Sequence, residues 1–428
     1  MKNQSTLLPV PSPAAYRFDG AALYDNNPLI AALPRFSTER EFAKRIQARP
    51  FISTDAFESQ NATAKAIHEI GCFFQPTSRH WRLYQQFRDI LCSGYVARNP
   101  TERIAAVGAE KRAPTRAVFT GMFALGKSMS VRQILSTFPR MIAHTCFRGV
   151  EFAAVQVVSV TLTCPADGSV RTFCLDFLRT VDQLLNTNYL NSFGHRHSSA
   201  AELIQTVEKV AKTHTLGLLV IDDIQLLNRV KKKASEAFAD AINTFSVGAG
   251  VPVVFVGNTS ILRNSGFSTP LGFQGIEHAH WTRFEQDSDE WSAFLQNLLA
   301  CDSIFQENSL TDELRSTFYD CTQGIPGIAT RLYSMVQKRV VETQGVETIT
   351  PNMLRTTAKA FLPAEIQVIE AIRRNDLSMV RDMWDLDESD FVASPGRKSK
   401  SRILQSRKMH PSTRADILLS EFPRWSRV

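Results

Sequence analysis

From about residue 116 the chain alternates short apolar runs with longer stretches whose apolar residues recur every three or four positions. The short runs predict strands, whereas the three-to-four spacing is typical of helices with one buried face. Strands separated by helices imply right-handed crossovers, and so a parallel sheet with both faces covered. The sequence therefore predicts an α/β domain over 106–285, with strands in AVFT (117–120), AAVQVVSVTLT (153–163), LGLLVID (216–222) and VPVVFVGN (251–258).

The regions on either side have a different pattern. Residues 1–105 contain one clear helical stretch, HWRLYQQFRDILCSGY, and predict a mainly helical N-terminal region. Over 286–375 the strand pattern stops, and four amphipathic stretches predict a helical lid: DEWSAFLQNLLA, TDELRSTFYDCT, GIATRLYSMVQKRVV and TPNMLRTTAKAF.

The charge is concentrated at the C-terminus. From residue 396 onward there are nine lysines and arginines against two acidic residues, a net charge of +7 that equals the net charge of the whole chain. The basic character therefore belongs to the part of the C-terminal tail (376–428) that follows residue 395, and it does not mark the body as a nucleic-acid binder. This tail could dock on a partner protein or contact DNA, and its placement favours partner docking.

Three features bear on the compartment. No run of about 18 apolar residues predicts a membrane span, and the N-terminus is a poor secretory signal. The seven cysteines are scattered without a C-x-x-C pair, which is typical of reduced thiols. We expect a cytoplasmic protein with no membrane partner.

The segment GMFALGKS fits the phosphate-binding pattern G-x-x-x-x-G-K-[ST]. A predicted strand precedes it and a predicted helix follows it, which is the context this pattern requires. Lys127 would reach the phosphates of ATP, and the Ser128 hydroxyl would coordinate Mg²⁺. Backbone N–H groups of the loop would face the phosphates; the residues concerned are Gly121, Met122, Phe123, Ala124, Leu125 and Gly126.

Other polar residues follow predicted strands or lie on the lid. Asp222 and Asp223 end LGLLVIDD at the sheet edge where ligands bind in such folds; Asp222 would hold Mg²⁺ and Asp223 would polarise the attacking water. Asn258 ends the next strand and would orient the water or the γ-phosphate; alternatively it caps a turn. Arg331, on a lid helix, either reaches the γ-phosphate or is solvated.

A parallel sheet domain followed by a helical lid resembles an AAA+ ATPase. Such sites are usually completed by an arginine from the neighbouring subunit, for which Arg263 and Arg283 are candidates, so the resemblance implies a homo-oligomer.

Four further segments resemble the TnsC family, the AAA+ regulators of bacterial transposons that choose their target sites. They are LYDNNPLIAALP (23–34), FFQP (73–76), GYVARNP (94–100) and HTLGLLVIDDIQLL (214–227). The resemblance implies an ATP-dependent ring or helical filament on duplex DNA, connecting a target selector of the TnsD/TniQ type to a TnsA/TnsB-type transposase. It also implies that the N-terminal region contacts the selector, and that Tyr95 and Val96 either lie near the adenine or form a packed linker.

Two loops offer sequence-nonspecific contacts to DNA phosphates. Arg171 follows the second predicted strand. After Asp222, the segment NRVKKK provides a basic cluster in the place expected of a pore loop: Arg229, Lys231, Lys232 and Lys233. For each residue, ordinary solvated surface charge is the alternative.

Two departures from the family predict slow hydrolysis. The loop interior Met122–Leu125 lacks the glycine and serine that relatives carry, and Asp223 replaces a glutamate with a carboxylate one methylene shorter. An ångström of misplacement can cost about a hundredfold in rate. The competing functions are an AAA+ motor or loader on nucleic acid, and an ATP-bound scaffold that coats DNA without hydrolysis.

Overall fold

The computed structural model describes residues 10–48, 70–101, 113–195, 198–263, 276–301, 310–342 and 349–376. The chain divides into two units, Met1–Val392 and Ala393–Val428. All described residues belong to the first unit, so the basic tail lies outside the described part of the chain.

A five-stranded parallel sheet forms the centre of the fold and confirms the predicted class. Its strand order is β5-β6-β7-β2-β8. The strands are β2 (Arg116–Gly121), β5 (Ser159–Thr163), β6 (Leu218–Asp222), β7 (Val253–Gly257) and β8 (Ile276–Trp281). Since β7 lies between β2 and β6, the three strands that carry the predicted site residues are neighbours.

The predicted strand over 153–163 is in fact two strands in two sheets. β4 (Val150–Val157) pairs antiparallel with β3 (Met141–Phe147), whereas β5 joins the central sheet. The second sheet has the order β1-β3-β4, with β1 at Ser12–Pro13. Val158, fully buried between the two strands, belongs to an unbroken run of strand-forming residues, so the change of sheet leaves no local signal.

Strand β8 also escaped prediction. Its sequence IEHAHW mixes polar and apolar residues, and the strand lies at the sheet edge, where it pairs only with β2. Edge strands of this kind lack the continuous apolar run that marks a strand buried on both faces.

The predicted helices are present, with small shifts at their ends. The N-terminal region has helices Ala22–Asp25, Pro28–Ala31, Glu39–Ile46 and Ser78–Val96. The sheet domain has α-helices Lys127–Leu135, Val170–Leu185, Tyr189–Phe193, Ala200–Thr213 and Lys232–Ala249, and 3-10 helices Ile224–Arg229 and Thr259–Arg263. The lid has Asp289–Leu299, Asp312–Thr322, Pro326–Glu342, Pro351–Phe361 and, beyond the four predicted, Pro363–Arg374.

Local sequence explains where several helices begin. Ser288, Thr311 and Thr350 each precede a lid helix, and each side chain accepts a backbone N–H from three residues further on. Such caps satisfy donors that a helix start otherwise leaves unpaired. In the described part of the chain, no helix is both long and apolar enough to cross a membrane.

Two hydrophobic cores cover the faces of the sheet. One face packs against helices Val170–Leu185, Ala200–Thr213 and Lys232–Ala249. The other core is continuous from the N-terminal region through the P-loop helix (Lys127–Leu135) into the lid. Because these parts share one close-packed core, the N-terminal region and the lid are held in place around the carboxyl ends of the strands.

Candidate nucleotide-binding site

The loop from Gly121 to Ser128 follows β2 and leads directly into the P-loop helix. Gly126 has a φ of +82°, a left-handed conformation that favours glycine. At Gly121 an added Cβ would lie 2.7 Å from the Trp281 carbonyl oxygen, so neighbouring β8 approaches too closely for a side chain. At both positions of the motif, the fold therefore favours glycine over a residue with a side chain.

The apolar interior of this loop anchors it to the core. Met122 is 2% exposed and Leu125 is 5% exposed, and both belong to the core that the lid shares. Phe123 packs against the same core from a less buried position. Ala124 has a φ of +54°, and its carbonyl accepts the N–H of Gly327 at 2.9 Å. The loop is thus fixed by side-chain burial and by a direct bond to the lid.

Lys127 and Asn258 meet at the end of the sheet. The ammonium group of Lys127 donates to the carbonyls of Gly121 at 2.8 Å and Met122 at 2.7 Å, and to Asn258 Oδ1 at 3.3 Å. Lys127 is 8% exposed. A buried ammonium needs such acceptors, and the same position would serve phosphate oxygens.

Ser128 and Asp222 also meet. Ser128 lies close enough to Asp222 for its hydroxyl to lower the pKa of the carboxylate through a hydrogen bond. The Asp223 N–H donates to Asp222 Oδ1 at 2.9 Å. Burial raises the pKa of Asp222, while these two hydrogen bonds act in the opposite direction. The hydroxyl and the carboxylate are therefore held together on the edge where the P-loop begins.

This pair fits Mg²⁺ only together with a nucleotide. The described residues contain no group of three or more His, Cys, Asp or Glu that could hold a metal ion by themselves. Mg²⁺ commonly takes one or two protein oxygens and completes its shell with water and substrate phosphates. Ser128 and Asp222 match that donor set.

Asp223 lies in a hydrogen-bonded chain that reaches Asn258. Its Oδ1 accepts the Gln225 amide at 2.9 Å, and Gln225 Oε1 accepts the Asn258 N–H at 3.2 Å. Asp223 has a φ of +56°, a left-handed conformation that Asp tolerates better than longer side chains. The left-handed backbone conformation is thus compatible with an aspartate at position 223. Gln225 was missed by sequence reasoning; its only signal was its position two residues after Asp223.

A cavity of about 430 Å³ adjoins the loop. It is mostly apolar, and its size is that of small-molecule sites. Five parts of the chain line it: the segment before and within the first turns of helix Ser78–Val96, the P-loop and its helix, the end of β8 with the residues after it, and the two lid helices Asp289–Leu299 and Pro326–Glu342. The lining includes Phe73, Phe74, Ala124, Gly126, Met129, Trp281, Phe284 and Arg331.

Arg331 borders the cavity from lid helix Pro326–Glu342, and its role at the γ-phosphate stays a prediction. Its guanidinium forms an ion pair with Glu365 of the last described helix, and its side chain is about half exposed. A ligand phosphate would compete with Glu365 for this arginine.

The contacts of Tyr95 lie at the amino edge of the sheet and favour the packed-linker alternative for Tyr95 and Val96. The Tyr95 hydroxyl donates to the Thr215 carbonyl at 3.2 Å, and a Cβ at Gly217 would lie 2.4 Å from it. Both contacts precede β6, at the amino edge of the sheet, whereas the P-loop follows the carboxyl end of β2. Tyr95 is fully buried, so the residues end a packed linker. Residues 71–80, which include the FFQP segment, form one wall of the cavity.

Of the two arginines predicted to act in trans, only Arg283 has its side chain in the described part of the structure. Arg283 donates from Nη1 to the Tyr319 hydroxyl at 2.7 Å and to the Gln323 carbonyl at 3.1 Å, so it is bound within its own chain to the lid. Arg263 ends the 3-10 helix Thr259–Arg263, and its side chain lies outside the described part. A role in trans stays a prediction for both.

The predicted DNA-contacting residues differ in their surroundings. Arg171 donates to the carbonyls of Ser198 at 2.7 Å and His195 at 2.8 Å. Its guanidinium is therefore hydrogen-bonded to residues that precede helix Ala200–Thr213. The basic cluster, defined as Arg229, Lys231, Lys232 and Lys233, is exposed between the 3-10 helix after β6 and helix Lys232–Ala249. Lys232 makes a long ion pair of 3.8 Å with Glu236 on the surface, which contributes little.

Comparison with known proteins agrees with this geometry. Residues 112–264 match the family model described as an AAA domain. With the parallel sheet, the P-loop and the following helices, this part of the chain is a P-loop AAA+ domain of the nucleotide-hydrolysing ATPase class. No curated protein matches the chain.

Several solved structures are similar to it. Cdc6p from Pyrobaculum aerophilum is 18% identical, with a TM-score of 0.43 over 65% of this chain and 66% of that chain. The Aeropyrum pernix ORC1 protein in complex with DNA is 12% identical, with a TM-score of 0.41 over 69% and 67%. The Aeropyrum pernix ORC2 protein in ADPNP–ADP complexes is 11% identical, with a TM-score of 0.39 over 76% and 72%.

Replacing Lys127 tests the phosphate site. We expect Lys127→Ala to weaken ATP binding by about ten- to a hundredfold, the value of a charge-assisted hydrogen bond, as measured by calorimetric titration. Lys209→Ala, which removes an exposed lysine from helix Ala200–Thr213, should bind ATP normally. Full ATP affinity in a folded Lys127→Ala chain would refute the assignment.

Replacing Asp223 separates binding from hydrolysis. Asn tolerates the same left-handed backbone, so Asp223→Asn should keep ATP affinity within about twofold while turnover falls by about a hundredfold. Phosphate release and ATP titration on the same preparation measure the two quantities. Unchanged turnover would remove Asp223 from the chemistry.

Proposed function

We propose that this protein is an ATP-dependent regulator of DNA transposition. It assembles with ATP and Mg²⁺ on duplex target DNA as a homo-oligomer and links a TnsD/TniQ-type target selector to a TnsA/TnsB-type transposase. The observation that carries the ATP-dependent part is the convergence of Lys127 with Asn258 and of Ser128 with Asp222 at one sheet edge. The transposition part is supported by the four segments that resemble TnsC.

Each residue of the site has a task in ATP hydrolysis to ADP and phosphate. Lys127 binds the β- and γ-phosphate oxygens. Ser128 and Asp222 would hold Mg²⁺, which would neutralise charge on the phosphates. Asp223 orients the attacking water and accepts its proton, and Asn258 positions the water or the γ-phosphate. Arg331 reaches the γ-phosphate from the lid once it leaves Glu365.

The proposal includes slow turnover, and the surroundings of Asp223 support it. Its Oδ1 already accepts the Gln225 amide, and the side chain is one methylene shorter than glutamate. A base that is both short and hydrogen-bonded elsewhere is poorly placed to take a proton from water. The ATP-bound state would then last long enough to serve as a signal.

Contacts among the TnsC-like segments support a coupling of the N-terminal region to the nucleotide. The Asn27 amide, from LYDNNPLIAALP, donates to the Tyr95 carbonyl of GYVARNP at 2.8 Å, and Asn27 is fully buried. Phe73 and Phe74, from FFQP, line the cavity. The region proposed to meet the target selector therefore includes one wall of the proposed nucleotide site.

The exposed basic cluster supports contact with the DNA backbone. It follows the strand that carries Asp222, so its position depends on the same sheet edge as the nucleotide site. Lysines and arginines of this kind bind phosphates without reading bases, which fits assembly on any duplex. The C-terminal tail would dock on the transposase.

Turnover with and without DNA distinguishes the proposed regulator from its two alternatives. We expect slow ATP hydrolysis that a random-sequence duplex accelerates, measured by phosphate release, together with ATP-dependent oligomers on the duplex seen by electron microscopy. Fast turnover without stable assemblies would favour a motor or loader. Stable assemblies with no phosphate release would favour an ATP-bound scaffold.

The basic cluster can be tested through salt dependence. We expect the triple variant Lys231→Ala, Lys232→Ala, Lys233→Ala to bind duplex DNA more weakly, with the slope of log affinity against log salt reduced by about 0.9 for each DNA phosphate that the variant no longer neutralises. A Lys209→Ala, Lys212→Ala variant removes exposed charge elsewhere and should keep the slope. Equal slopes in all three chains would exclude the cluster from the interface.

A further inference from the structure

His80 is a buried histidine beside the P-loop with no role in the site described so far. It lies in the first turn of helix Ser78–Val96 and is 7% exposed. Its Nδ1 lies 2.9 Å from the Thr77 backbone nitrogen and 3.0 Å from the Thr77 hydroxyl. A backbone N–H can only donate, so Nδ1 accepts and the ring proton is on Nε2.

The Nε2–H group points at Ser130 on the P-loop helix. The distance from Nε2 to Ser130 Oγ is 3.1 Å. Ser130 is 1% exposed, and its hydroxyl donates in turn to the Gly126 carbonyl at 2.8 Å. The Ser130 N–H donates to the same carbonyl, also at 2.8 Å. The histidine therefore completes a chain of hydrogen bonds that ends on the phosphate-binding loop.

The carbonyl at the end of this chain controls a donor that would face the nucleotide. The Gly126 C=O and the Lys127 N–H belong to one planar peptide unit and point in opposite directions. Anchoring the oxygen from the helix side therefore sets the direction of the Lys127 N–H towards the mouth of the loop. Gly126 has the conformational freedom of a glycine and a left-handed φ of +82°, so the peptide unit that follows it gains from being anchored.

The surroundings keep His80 neutral and hold its ring. Burial, assisted by the positive charge of Arg79, lowers the pKa of His80 to about 3, against the opposing effect of the Thr77 hydrogen bond. Phe74 and Trp281 make edge contacts with the ring at centroid distances of 4.9 Å and 4.8 Å. Both aromatic residues and His80 itself line the cavity, so His80 belongs to the part of the wall that contacts the P-loop helix.

We propose that His80 is a positioning residue for the phosphate-binding loop: acting through Ser130, it orients the Gly126–Lys127 peptide unit so that the Lys127 N–H meets the nucleotide phosphates. The inference rests on the proposed nucleotide binding. It adds a specific dependence of phosphate recognition on the N-terminal region, since His80 and the FFQP segment belong to the same stretch of chain.

Three single variants test the relay. His80→Phe keeps a ring but removes the donor, Ser130→Ala removes the middle hydroxyl, and His80→Gln keeps an amide donor near the Nε2 position. ADP and adenosine are the probes, measured by competition against a fluorescent ADP analogue. We expect His80→Phe and Ser130→Ala to weaken ADP binding about three- to tenfold, the value of one neutral hydrogen bond, with adenosine affinity unchanged and His80→Gln close to the original chain.

The double variant His80→Phe, Ser130→Ala gives a second measurement that does not depend on weak adenosine binding. If both residues act on one peptide unit, either substitution alone already breaks the chain of hydrogen bonds. The double variant should then bind ADP no more weakly than whichever single variant has the lower ADP affinity. Thermal unfolding of each chain identifies any general loss of structure.

The outcomes separate the inference from the proposed function. Full ADP affinity in His80→Phe, equal losses for adenosine and ADP, or additive losses in the double variant would each overturn the positioning role, while ATP binding by the original chain would still stand. An original chain that binds neither ATP nor ADP would instead overturn the proposed function and the inference with it.

Discussion

Parallel pairing of β2, β7 and β6 is the constraint on which the proposed site depends. In a parallel arrangement all carboxyl ends face one edge, and adjacent strands are about 5 Å apart. That spacing brings Lys127, which follows β2, to 3.3 Å from Asn258, which follows β7. Asp222 ends β6, two strands from β2 in the same sheet, and its carboxylate lies near Ser128 in the first turn of the P-loop helix. Residues more than ninety positions apart in sequence thus become one site.

The shared core on one face of this sheet adds the remaining walls. Leu125 from the P-loop, Phe74 from the N-terminal region and Ile328 from the lid all belong to it. Close packing makes these parts mechanically dependent on each other. A nucleotide between them would contact all three, so its binding would be felt in both the N-terminal region and the lid.

The sequence pattern specifies the position of the predicted phosphate-side residues more directly than that of Tyr95 and Val96. The loop, Asp222 and Asn258 each follow an apolar strand directly, so a local pattern gives their place in the sheet. Tyr95 shows the opposite case: it ends a helix of 19 residues, and only the direction of that helix across the sheet decides which edge it reaches. His80 and Gln225 act through hydrogen bonds to residues 50 and 33 positions away, which leave no trace in spacing.

By itself the sequence determined the α/β class, the phosphate-binding loop and the helical lid, because each is encoded by short-range periodicity and by residues adjacent in the chain. The tertiary structure alone decided that 153–163 divides between two sheets, that IEHAHW is an edge strand, and that residues 71–80 form the cavity wall. These features depend on contacts between distant segments. They are stabilised by the burial of apolar residues in a common core, and a short stretch of sequence does not show which distant residues share that core.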